Sequence, residues 1–228
     1  MKPIKHPYNL VIKYSVEEDV VSSEIEEIEM KIFEFKPEIE KQGLEPEANF
    51  KKNYLKLTFT RFMLGESDMN PLSLADQKSG EVLRAVAPLM GKNSEKLADL
   101  LEIYPEGFSK LIYLDSARIY GDFSVASLPA ALSQAFKILA KGTPEQEWVA
   151  LAYQDNTFLN KTKLVDDKTV DNMVNQAGFL QLNEKLTGMS REENTLLMAS
   201  AYTLNMNYDH DETLVNQETN QNQKKLKP

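Results

Sequence analysis

The sequence predicts an α/β or α+β fold: a small mixed β-sheet packed against helices, with a helical C-terminal part and a disordered polar tail. Three observations predict it. Stretches with an apolar residue at every second position alternate along the chain with stretches of helical period. Residues 110–153 read as strand, loop, helix and strand, the unit from which α/β proteins are built. From residue 207 onward apolar side chains nearly vanish, so burial there cannot offset the entropy of ordering. The expected organisation is one globular domain over 1–206 followed by a tail over 207–228.

Taken in order, Leu10, Ile12, Tyr14 and Val16 alternate with more polar neighbours, which suits a strand over 9–16 with one face buried. Next, Val21, Ile25, Ile28, Ile32, Phe35 and Ile39 recur at spacings of three and four, the seam of an amphipathic acidic helix. Ser23 and Glu26 form a capping box for its start, and Pro37 ends or bends it. Residues 53–63 hold the cleanest alternation, with Leu55, Leu57, Phe59 and Met63 on one face and Lys56, Thr58 and Thr60 on the other. A helical hairpin is expected over 73–104, interrupted at Gly80, Pro88 and Gly91.

The central unit follows. Its first strand, 110–120, is apolar on both faces at its start, as an interior strand should be. Its helix buries Leu128, Ala131, Leu132, Ala135, Phe136 and Leu139, with Ser127 as N-cap and Gly142 beyond the end. Trp148 to Tyr153 makes the second strand. A short helix is expected over 166–177, and a second capping box, Ser190 with Glu193, opens a helix running to about 204.

Composition narrows the chemistry. The chain has 228 residues and no cysteine, which removes thiolate nucleophiles, iron–sulfur clusters and Cys-based zinc sites. No apolar run nears the roughly 20 residues of a membrane-spanning helix, and no apolar stretch follows the first lysines as in a Sec signal; a cytoplasmic setting is the default expectation. Between residues 17 and 47 twelve acids face three lysines, a surplus equal to the whole net charge of −9. That balance disfavours nucleic acid as a partner and fits either a solvated helix face or a docking site for a protein partner with a basic surface, with Glu24, Glu26, Glu27 and Glu29 as the contact surface.

The phosphate-loop, dinucleotide, nucleophile-elbow, zincin and EF-hand motifs are absent. The two histidines, His6 and His210, lie near the chain ends and offer little to a catalytic triad. What remains is the carboxyl end of the 110–120 strand, where Asp115, Asp122, Ser124 and Ser127 gather, with Tyr153, Asp155 and Asn156 across a parallel neighbour. The layout of strand, helix N-terminus and strand ending near an Asn resembles the cofactor half of GNAT-type N-acyltransferases. The resemblance spans about 45 residues and implies acyl-coenzyme A as cofactor, Asp122 and Tyr153 as catalytic groups, and Ser124, Ser127 and Asn156 as cofactor contacts. Where that family has a glycine-containing turn to hold the pyrophosphate, this chain has Asp122-Phe-Ser-Val-Ala-Ser-Leu-Pro129. Two function classes therefore stand: a non-enzymatic interaction protein using the acidic helix, and a small-molecule transferase using the 115–127 loop.

Overall fold

The computed structural model describes residues 9–18, 24–35, 53–64, 70–92, 94–101, 108–153, 179–181 and 196–200. Three strands come first: β1 (Asn9–Glu18), β2 (Ile25–Phe35) and β3 (Tyr54–Met63). Helices α1 (Pro71–Lys78), α2 (Gly80–Val86) and α3 (Ser94–Leu101) follow, with a 3₁₀ turn at Ala87–Met90. Then come β4 (Lys110–Tyr120), α4 (Leu128–Ala140), β5 (Trp148–Tyr153), β6 (Leu180–Gln181) and β7 (Leu196–Ser200). The strands form one mixed sheet of seven in the order β1-β2-β3-β4-β5-β7-β6. β4 and β5 run parallel, joined through α4, and every other pairing is antiparallel.

Both faces of the sheet carry a core. On one face Ile28, Met30, Ile32, Leu55, Leu57, Phe59, Ile112, Leu114 and Ala150 pack beneath α4. Phe136 of α4 is the hub there, with ring centroids 5.4 Å from Phe59, 6.4 Å from Trp148 and 5.4 Å from Phe179. On the other face α1, α2 and α3 cover Ile25, Phe62, Leu111, Tyr113, Val149 and Leu151. That second cover reaches one end of the face only. Further along, β1 to β4 present polar side chains that range from buried at Thr60 to exposed.

Fold class, mixed sheet and central unit follow the expectation, and two predicted helices do not. The acidic helix is strand β2, with Ile28, Met30 and Ile32 buried and alternating with Glu27, Glu29 and Lys31. Ile28 and Ile32, four apart, satisfy both the helical and the strand period, while Ile25 fits the helical seam and falls on the opposite face of the strand. The tie is broken by β1 and β3, which pair along both edges of β2 and give a β-branched strand a buried interior place. The helix expected from 190 to about 204 is likewise contradicted at Leu196–Ser200, which is β7, paired with both β5 and β6. Its short apolar run carries no period of its own. The expected hairpin is three helices, because Ser79 takes an extended conformation before Gly80 and accepts the Val82 N–H on Oγ, capping a new helix. The 166–177 helix and the 207–228 tail lie outside the described residues.

Candidate functional site

Register places residues of β1 to β4 in rows across the polar half of the sheet. Glu17, Glu27, Thr60 and Tyr113 are successive partners in one row, and Ser15, Glu29, Thr58 and Ser116 in the next. Between these rows the β3–β4 ladder shifts: Phe59 faces Leu114 while Thr58 faces Ser116. Asp115 is thus the extra residue of a β-bulge, a device that re-aims one side chain. Were the alternation unbroken, Asp115 and Ser116 would point to opposite faces. The bulge turns both toward the polar one.

A pocket of about 320 Å³ opens there, lined by Ser15, Glu17, Glu27, Glu29, Thr58, Thr60, Lys78 and Asp115 among others. Thr60 Oγ1 donates to the Asp115 carboxylate at 3.1 and 3.3 Å. Burial pushes the Asp115 carboxyl up to about 7, against the Thr60 hydrogen bond and Lys78, which favour the charged form; Glu27 and Glu81 add to the rise. Lys78, in the last turn of α1, pairs with Glu27. Lys56 and Lys31 lie 2.6 and 3.1 Å from Glu29 and hold its carboxyl below the usual range. Thr58 and Ser116 share a hydrogen bond of 2.6 Å. In the Thr60 row the buried Tyr113 hydroxyl donates to Glu81 at 2.8 Å, tying β4 to α2.

The four glutamates of the expected contact surface do not share a face. Glu27 and Glu29 point to the pocket, whereas Glu26 turns to the α4 side and pairs with Arg61. Arg61 also donates to the carbonyl of Leu139 at 3.0 Å, and Lys110 reaches the same carbonyl at 3.4 Å, so two cations meet the C-terminal end of α4. Burial and the neighbouring Arg61 lower the Lys110 pKa. Glu24 stands just before β2, its carbonyl accepting from Met63 N–H at 2.9 Å. Glu26→Gln should therefore cost about 1–3 kcal/mol by leaving Arg61 half-buried without its charge partner. Glu27→Gln, whose side chain is 57% exposed, should change stability by less than about 0.5 kcal/mol. Urea denaturation of the two variants checks the contrast.

Asp122 is exposed in the turn after β4, where Gly121 takes φ 59°. Its N–H donates to Asn53 Oδ1 at 2.9 Å, that of Ser124 to Glu34 Oε1 at 3.1 Å, and that of Ser127 to the Ser124 carbonyl at 3.0 Å. These amides at the entrance to α4 are engaged, so they do not form an open phosphate cradle. Ser127 is buried in a helical conformation and makes no side-chain cap bond, contrary to its expected role. Tyr153 ends β5; Asn156 lies outside the described residues.

The sequence groups Asp115 with Asp122, Ser124 and Ser127 at the carboxyl end of the strand, whereas the structure sets it mid-strand at the bulge, among Glu17, Thr58, Thr60 and Lys78, which that grouping misses. The polar alternation of 56, 58 and 60 was the available signal. Among the described residues no group of three or more His, Asp or Glu is arranged to hold a metal ion, and no helix is long and apolar enough to cross a membrane. No family model, curated protein or solved structure matches the chain.

Proposed function

We propose that this protein is a small-molecule transferase that takes an amine into the pocket over Asp115 and uses that carboxylate as general base. One observation carries the reading: a β-bulge turns Asp115 into a polar pocket, with its carboxyl tuned to about 7. A base with a pKa near the working pH combines adequate ionisation with adequate basicity. The pocket suits a cation, because Glu17 faces Glu27 across β1 and β2, like charges so placed repel, and Lys78 pairs with Glu27 while Glu17 has no cationic partner among the described residues. An ammonium group relieves that repulsion on entry. Loss of its proton to Asp115 leaves a neutral, nucleophilic nitrogen.

The first candidate donor is acyl-coenzyme A, from the resemblance stated above; the engaged amides before α4 lend it no pyrophosphate site. A nitrogen–carbon bond would form and the thioester carbon–sulfur bond would break; with Asp115 already holding the first ammonium proton, the second would leave with the thiolate as the free thiol. The rival reading, an acidic contact surface for a basic protein, draws less support, since Glu26 and Glu27 lie on opposite faces. A cytoplasmic setting belongs to this proposal as its expected context.

The test is a panel of primary amines and diamines with acetyl-coenzyme A, read by thiol release. The chain has no cysteine, so every thiol detected comes from the donor. Amine-dependent release is expected, rising with pH through about 7 and falling 10²-fold or more in Asp115→Asn. An amine at 100 times its Kd should also add about 2.7 kcal/mol of stability. Neither thiol release nor a thermal shift with any amine, or full activity in Asp115→Asn, would refute the proposal.

A further inference from the structure

Beyond the pocket, the same face of the sheet continues into a row of four cations. Lys13 is the partner of Lys31, Lys31 of Lys56, and Lys56 of Arg118, one residue from each of β1 to β4. Like charges directly opposite each other on neighbouring strands repel. Glu29 offsets Lys31 and Lys56 from the adjacent row. Lys13 and Arg118, both exposed, have no carboxylate partner among the described residues. A local rule of sheet design broken in this way points to a functional surface.

The next row is aromatic. Phe33, Tyr54 and Tyr120 are successive partners, and the Tyr54 and Tyr120 rings stack with centroids 4.5 Å apart and planes 14° apart. Tyr120 is 36% exposed. Two residues of strand, about 7 Å, separate this row from the cations.

We infer that Lys56 and Arg118 with the Tyr54–Tyr120 stack form a binding ledge for a mononucleotide, the phosphate on the cations and the base on the exposed ring of Tyr120. The two features are independent and point to one chemistry. Arg118, without a carboxylate partner among the described residues, takes the phosphate with the Glu29-bound Lys56 beside it, and a tyrosine face takes a base of any identity. The size of the ligand follows from charge. A nucleic-acid strand would extend over the rest of a chain with net charge −9, whereas a single nucleotide meets only the row, the more distant acids being screened over about 8 Å. Distinct side chains make the ledge separable from the Asp115 reading, so Asp115→Asn should leave nucleotide binding unchanged.

Calorimetric titration of the full chain with adenosine 5′-monophosphate, adenosine and inorganic phosphate tests this. The monophosphate should bind more tightly than either part alone, and more weakly as salt rises. Arg118→Ala and Tyr120→Ala, both at exposed positions, should each weaken it about tenfold or more, while Lys92→Ala at an exposed site in the turn before α3 should not. Absence of saturable binding at millimolar monophosphate would overturn the inference. So would phosphate or adenosine binding as tightly as the nucleotide, nucleotide affinity unchanged in both ledge variants, or binding confined to longer single strands.

Discussion

Asp115→Asn should make the protein more stable than wild type at pH 8 and equally stable at pH 4. The sign follows from linkage. The folded-state pKa of about 7 lies above the ordinary 3.8, so between those values the folded protein holds a proton that the unfolded chain releases. The contribution of the protonated carboxyl is fully present below about pH 4 and is lost as pH rises through 7. At roughly 1.4 kcal/mol for each pH unit between the two values, wild type loses up to about 4 kcal/mol across that window. Asparagine keeps a polar group beside Thr60 and does not titrate, so the variant is spared the loss. Denaturant unfolding at pH 4, 6 and 8 measures it. A gain in stability accompanied by loss of activity is the pattern of a functional group held in an unfavourable place, and parallel stability curves would contradict the assignment.

Phe136→Ala should cost about 3–5 kcal/mol, enough to unfold a large fraction of molecules in a protein of ordinary stability. Its ring is fully buried and touches the aromatic rings of Phe59 on β3, Trp148 at the start of β5, and Phe179 next to β6. Truncation opens a cavity between α4 and the sheet that none of three rigid neighbours can fill. Phe136→Leu, which keeps most of the volume, should cost distinctly less, and the difference in urea midpoint between the two variants reports the cavity directly. Equal, small effects would mean that α4 does not clamp the sheet.

Much of this architecture is legible in the residues. The alternation of Leu55, Leu57 and Phe59 with Lys56, Thr58 and Thr60 reads as a strand because one face is buried and the other is not. The strand 110–120, apolar on both faces at its start, and the helix from Leu128, whose apolar positions fit one period, are equally plain. β2 was not legible, since Ile28 and Ile32 satisfy two periods and only the neighbouring strands choose between them. That misreading also hid the site. On a helix the acids would form one solvated stripe; on a strand they divide, Glu26 going to Arg61 and Glu27 and Glu29 to the pocket. The bulge at Asp115 left no local trace, because it depends on how β3 meets β4. The row of cations is likewise a property of register: Lys13, Lys31, Lys56 and Arg118 are scattered over about a hundred residues and meet only across four paired strands.

The central claim is that Asp115 is a carboxyl poised for proton transfer in an amine pocket, and titration of its side-chain carboxyl by carbon-13 NMR tests it most directly. The account predicts an apparent pKa near 7, falling when a binding amine occupies the pocket and stabilises the charged form. A carboxyl that titrates near 3.8 and is indifferent to amines would contradict it.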